Sequence, residues 1–363
     1  MGAVVDLGMT MRWFYSSFSA LDMYHRRSEQ NVAYITVVGD LITLARAVPD
    51  LEFPGVAHAD AAAFLGHRRV YFRCFDEGAK PRPQTFRSLN LLYDAERERY
   101  VDPYDDYPAL RSEALEPTAY PHEPLERLMD AAIAVSRYPQ SIDSEALPRV
   151  ERFAEQPPES LRTTLGGILT GTTPWEGLKH LKSSGFVQAY WPELARMDGT
   201  SHTKEHHPEG DVWTHSLETF RYRRSNDLVL TLALLLHDAG KPEANPVGPR
   251  KFDRHTEIGA KLAARFLRRL EFPDETIRDV CWLVENHMYP GALHRLPTFR
   301  TARLMSNELF PLLLELYRCD LESTYRGPEG YYRACKIYRD FLRNSANPFR
   351  SVDGKKLVRL YVD

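Results

Sequence analysis

LTLALLLHDAGKP, residues 230 to 242, is the stretch on which the reading of this chain turns. A run this rich in leucine has no polar face, so as a helix it is buried on all sides. The apolar stretch, Leu228 to Leu236, falls far short of the roughly 18 to 20 residues that span a bilayer. Gly240 and Pro242 stop the helix. At its end stand His237 and Asp238, where apolar packing leaves off. Burying an imidazole and a carboxylate without partners costs several kcal/mol, so the pair must be hydrogen-bonded, ion-paired or on a metal. Neighbouring helical positions point about 100° apart, which suits two ligands gripping one ion.

Working outward, eight of the 13 histidines lie between residues 202 and 294. His215 sits early in the helical pattern VWTHSLETFRY, His255 opens HTEIGAKLAARF, His287 ends the helix in CWLVENHM, and Asp320 lies inside LLLELYRCDLEST. Any one such histidine is more often hydrogen-bonded than ligating. The set, drawn from five predicted helices, points the other way. His215, His237, Asp238 and Asp320 would hold one divalent ion, with His255 and His287 able to hold a second. Imidazole with carboxylate suits Mn, Fe, Co, Ni, Zn or Mg rather than a thiophilic metal. An ion there would lower the pKa of a coordinated water to about 7 and so supply a nucleophile for phosphorus. Lys241 and Arg254 are candidates to hold phosphate oxygens. Asp211, four residues before His215, is a candidate to orient that imidazole. His206 and His207, in HHPEGDVWTHSL, would be loop residues or line the mouth of the site.

The bulk numbers fit a folded, soluble protein. With 363 residues, two or three domains are expected. Apolar content of 43% against 27% charged describes a folded, soluble chain. The first ten residues lack the blocks of a secretory signal, and Asp6 stands where acylation after Gly2 would want serine or threonine. The cytoplasm is expected, with no membrane partner. Four cysteines at 74, 281, 319 and 335 form no CxxC pair and read as reduced. A net charge of -3 gives no general field for a polyanion. The local patches HRRV (67 to 70) and RFLRRL (265 to 270) read as solvated faces.

Residues 32 to 101 alternate between strand and helix signals. VAYITVV is a buried strand, Gly39 breaks it, LITLARAV is helical, RRVYFRCF alternates, and SLNLLYD and ERYVDPY form two short strands. From Leu125 the patterns PLERLMDAAIAV, SEALPRVERFAE, PPESLRTTLGGIL and PWEGLKHLKSSGF predict successive helices. The fold class expected is mixed and mainly α. A small α/β head covers 1 to 115, a helical neck 116 to 200, an all-α histidine-bearing body 201 to 345, and a short tail 346 to 363.

The ordered set His215, His237 with Asp238, and Asp320 resembles the HD superfamily of metal-dependent phosphohydrolases. More narrowly, HHPEGDVWTHSL, LLLHDAGKP and HTEIGAKLA resemble the HD domain attached to class II tRNA nucleotidyltransferases and poly(A) polymerases. SLNLLYDAERERYVDPYDDYPALRSEAL is similar to the end of that family's head. PPESLRTTLGGIL and WEGLKHLKSSGFVQAYWPEL are similar to its neck, with Arg162 at a neck arginine. SVDGKKLVRLYVD resembles the start of its RNA-gripping tail. The resemblance implies a nucleotidyltransferase-like head and a nucleotide or RNA substrate, tRNA among them. The head departs from the family's polymerising pattern. Its Gly-Gly turn is Val38, Gly39, Asp40, and no arginine follows until Arg46. PRPQTFRSLN lacks the acidic member of the later arginine motif, and neck arginines are replaced by Glu126, Met129 and Ala132. The head carboxylates available for a metal pair are Asp50 and Glu52.

The first expectation is a metal-dependent phosphohydrolase acting on a nucleotide or RNA-terminal phosphoester, with His237, Asp238 and Lys241 at its chemical centre. The second is a template-independent nucleotidyltransferase of the CCA-adding or poly(A) polymerase type, working through Asp50 and Glu52. The third is a non-catalytic RNA-binding module.

Overall fold

The computed structural model describes residues 11–27, 32–151, 153–200, 210–244, 252–324 and 327–346. His206, His207 and SVDGKKLVRLYVD lie outside the described residues. The chain divides into two compact units, Met1–Tyr190 and Trp191–Asp363. The fold is of the expected class: a six-stranded mixed sheet with helices, followed by an all-helical region.

The first unit runs β1 (Trp13–Tyr15), α1 (Ser17–Tyr24), β2 (Val32–Val38), α2 (Leu41–Ala47), β3 (Ala61–Leu65), β4 (Arg68–Phe75), β5 (Leu92–Asp94) and β6 (Arg99–Val101). Helices α3 (Tyr107–Arg111), α4 (Pro124–Arg137), α5 (Pro158–Leu169), α6 (Pro174–Ser183) and α7 (Phe186–Tyr190) follow. The sheet order is β3-β4-β2-β1-β5-β6. Only β2 and β4 run parallel, in the register Ile35 opposite Phe72. Residues 33–37 of β2 and 69–73 of β4 are buried, β2 through a nearly continuous apolar sequence, as burial on both faces requires, and β4 with Arg69 and Arg73 paired to Glu159 and Glu126. Ile35, Val37, Val70 and Phe72 pack there with Leu44 and Val48 from the α2 region.

β1, α1 and β3 were not expected, and SEALPRVERFAE is not the helix its composition predicts. After a short 3-10 turn at Ser144–Ala146 the described residues between 147 and 157 have no regular structure. Pro148 drives its predecessor away from the helical region. The segment bonds elsewhere: the Val150 amide donates to Ser184 O at 2.8 Å, and the Tyr190 hydroxyl donates to Ala154 O at 2.8 Å.

On α4, Asp130 accepts a hydrogen bond from the Thr85 hydroxyl at 2.6 Å, and burial together with the neighbouring Glu126 charge pushes its carboxyl up to about 7. In the unfolded chain it titrates near 3.8, so between these values the folded chain holds the extra proton. The stabilisation is complete below the unfolded pKa and is lost as pH rises through about 7. We expect Asp130→Asn to flatten this dependence and to be about 2 kcal/mol more stable than the parent at pH 8, after discounting the full shift for partial exposure. Urea unfolding at pH 5 and pH 8 measures it.

The second unit comprises α8 (Pro192–Ala195), α9 (Val212–Thr219), α10 (Leu228–Leu236), α11 (His255–Arg269), α12 (Asp274–Asn286), α13 (Tyr289–Ala292), α14 (Thr298–Met305), α15 (Phe310–Glu322) and α16 (Glu329–Ser345). Helix α10 is capped by Asp227, which accepts from the Leu230 amide at 2.8 Å. Leu230 to Leu236 are all buried, so its end is fixed by packing. No described helix is long and apolar enough to cross a membrane.

Candidate metal centre

Helix ends deliver most of this site. His237 and Asp238 leave the end of α10, His255 begins α11, and His287 follows the last residue of α12, while His215 and Asp320 project from α9 and α15. His215, His237, Asp238 and His287 are buried. Asp320 and His255 keep 21% and 13% of their side chains exposed, so the cluster opens on their side.

Three imidazoles have their tautomer set by the backbone. His237 Nδ1 lies 2.9 Å from Leu234 O, His255 Nδ1 2.9 Å from Phe252 O, and His287 Nδ1 2.8 Å from Val284 O. A carbonyl only accepts, so each Nδ1 carries the proton and each Nε2 keeps its lone pair. The Ser323 hydroxyl donates to Asp320 O at 2.8 Å and lies 3.4 Å from His215 Nδ1, where its oxygen can accept. His215 Nε2 then keeps a lone pair for ligation as well.

The Nε2 atoms converge on two faces of one carboxylate. Asp238 Oδ2 lies 3.3 Å from His237 Nε2 and 3.9 Å from His215 Nε2. Its Oδ1 lies 3.6 Å from His255 Nε2 and 3.8 Å from His287 Nε2. Asp320 Oδ1 joins the first face, 3.0 Å from His215 Nε2 and 3.8 Å from His237 Nε2. Among the described residues two ligand trios emerge, His215–His237–Asp238 and Asp238–His255–His287, with donor atoms in each within 4.8 Å of one another. Such spacings suit ligands about 2.0 to 2.2 Å from a shared ion. The residues fit an ion on a further count: His237 Nε2 is buried and has no hydrogen-bond partner, a cost that ligation removes.

Electrostatics keep the donors ready. Burial works to raise Asp238 and Asp320, but it is outweighed at Asp238 by the Lys241 ammonium and His237, and at Asp320 by His215. Both carboxyls stay below their ordinary range. Burial, then the His237 charge, pushes His287 down to about 3, and burial lowers His255 too.

The other expected residues are placed as follows. Lys241 Nζ lies 2.5 Å from Asp238 Oδ2. Asp211 is the N-cap of α9, accepting from the Thr214 amide at 2.7 Å. Arg254 is exposed and paired with Glu257 at 2.6 Å. In the first unit, Asp50 is exposed in a left-handed turn (φ 53°), and Glu52 pairs with Arg69 at 2.7 Å. Asp40 caps α2 through the Thr43 amide, putting a carboxylate where that helix end would face an anion.

Ser323 and the three carbonyls were not found from sequence, nor was the packing role of Gly240. A Cβ on Gly240 would come 2.0 Å from His255 O and 2.5 Å from Gly259 N, backbone atoms that cannot swing aside. The two glycines let α11 start against the His237–Asp238 corner. Gly240→Ala is expected to cost about 1 to 3 kcal/mol and to lower occupancy of the subsite that uses His255. Thermal unfolding with metal analysis checks both effects.

This arrangement is a candidate metal site, and residues 211–315 match the family model described as HD domain. Beyond that domain, the chain is 34% identical over 234 residues to the CC-adding tRNA nucleotidyltransferase of Thermus thermophilus, covering 60% of this chain and 52% of that one. It is 32% identical over 182 residues to the A-adding tRNA nucleotidyltransferase of Deinococcus radiodurans, covering 47% and 41%. The chain thus spans about half the length of the curated relatives it matches. The structure of the Bacillus stearothermophilus CCA-adding enzyme in complex with CTP shares the fold, with a TM-score of 0.52 at 15% identity over 92% of this chain and 79% of that one. By sequence and by fold the chain is related to the class II tRNA nucleotidyltransferases that carry an HD domain.

Proposed function

We propose that this chain is a cytoplasmic metal-dependent phosphohydrolase whose second unit cleaves a phosphoester of a nucleotide or of an RNA end. The observation that carries the reading is the convergence of four imidazole Nε2 atoms on the two oxygens of Asp238, with Asp320 beside His215. When bound, a pair of divalent ions supplies Lewis acidity at a phosphoryl oxygen and an acidic water. Asp238 bridges the two sides, Asp320 and His255 stand at the open face, and Lys241 is the cation nearest to steady a phosphate. Arg254 is a second candidate, in competition with Glu257. The first unit serves as a substrate platform.

The test is elemental analysis of purified protein with a screen of cyclic phosphates, nucleoside monophosphates and short RNAs, with and without chelator. Turnover that disappears on chelation and returns with one divalent metal supports hydrolysis; bound metal without turnover on any substrate points to the non-catalytic reading.

A second reading is nucleotidyl transfer by the first unit, and the names of the two relatives reported above, a CC-adding and an A-adding tRNA nucleotidyltransferase, favour it over hydrolysis. Against it stand Asp40 on the α2 N-terminus and Glu52 engaged by Arg69. ATP or CTP incorporation into tRNA that fails in Asp50→Asn and persists in His237→Ala would decide for transfer.

A further inference from the structure

The first unit contains a cavity of about 750 Å³ that plays no part in the metal chemistry. Its size lies within the roughly 300 to 1,000 Å³ of small-molecule sites. Helix α4 brings Glu126, Met129, Asp130 and Ile133 to it, the i, i+3, i+4, i+7 set of one helical face. Across from them α5 brings Ser160, Thr163 and Thr164, and the rings of Tyr34 and Tyr190 add aromatic wall.

The cavity's charge is one-sided. Among its described lining residues, Glu123, Glu126, Asp130, Glu151 and Glu155 face a single cation, Arg149. Glu126 has partial compensation from His122 at 3.2 Å and Arg73 at 3.8 Å; the one hydrogen bond to Asp130 comes from the Thr85 hydroxyl. His58 supplies an independent sign of a missing partner: it lines the cavity, and its Nε2 is buried without a hydrogen bond. Burial and the Arg73 charge push His58 down to about 3, so its ring is neutral.

We propose that this cavity binds a polyamine-like organic cation, its ammonium groups on Glu126 and Asp130 and its methylene chain along Met129 and Ile133. A cation there relieves the repulsion between two carboxylates on one helical face, and its N–H groups match an acceptor-rich wall. A nucleoside triphosphate brings the opposite charge to the same wall and is disfavoured. The inference stands independently of the hydrolase reading.

Isothermal titration of the whole chain with spermidine at pH 8, where Asp130 is ionised, tests it. One saturable site is expected, weakened at least tenfold in Asp130→Asn and lost in Ile133→Trp, which fills the cavity. Unchanged metal content and cooperative unfolding of Asp130→Asn show that the variant is folded. No saturable binding, binding at several sites indifferent to Asp130→Asn, or ATP binding that Ile133→Trp blocks would each overturn it.

Discussion

Asp238→Ala is expected to strip the protein of both metal ions at once, whereas His287→Ala removes one and leaves the other. Only Asp238 offers an oxygen to each trio, Oδ2 toward His237 and His215, Oδ1 toward His255 and His287. Losing it also takes the carboxylate away from the Lys241 ammonium and leaves four imidazoles facing one another. Metal affinity should fall by at least about 1,000-fold, beyond the 10- to 100-fold typical of losing a residue that merely orients a ligand, and turnover should fall with it. His287→Ala leaves His215, His237, Asp238 and Asp320 in place, so about half the metal should remain. Metal-to-protein ratios after gel filtration distinguish the cases, with Asp238→Asn as the variant least disturbing to packing. Equal loss of metal in Asp238→Ala and His287→Ala would exclude two separable subsites.

How much of this was legible beforehand depended on whether a residue's role was local. VAYITVV announces itself because a strand buried on both faces is nearly apolar throughout, and RRVYFRCF by its alternation. AAAFL gives no such sign: alanine is poor in strands, and β3 exists because Ala62 pairs with Tyr71 of β4. Three-residue β1 is likewise a strand because Phe14 pairs with Thr36 of β2. SEALPRVERFAE failed in the other direction, since helical composition ignores Pro148 and the distant partners of Val150 and Ala154.

At the site, ligands placed at helix ends could be ordered from spacing alone. What holds them could not. The carbonyls of Leu234, Phe252 and Val284 belong to residues whose side chains carry no hint of it, and Ser323 acts on a histidine 108 positions away. The Gly240–Gly259 contact exists only once α11 packs against the α10 corner. Sequence thus nominated the candidate donors, while their protonation and aim came from packing.

Lys241 separates binding from turnover. In the absence of an ion its ammonium, 2.5 Å from Asp238 Oδ2 and largely buried, is the carboxylate's counter-charge. With a divalent ion held by Asp238, the Lys241 ammonium would lose that counter-charge and could serve a phosphate instead. Lys241→Met removes a competitor for Asp238 while preserving chain volume, so metal affinity should hold or rise by up to about tenfold. The same change removes the cation proposed to steady a phosphoryl group, and losing one such stabilising contact would lower kcat by about 100- to 1,000-fold. Metal titration of the variant, alongside kcat and KM on the best phosphoester substrate, separates the two effects. Metal loss in step with activity would make Lys241 a structural counter-ion, and undiminished kcat would remove it from the chemistry.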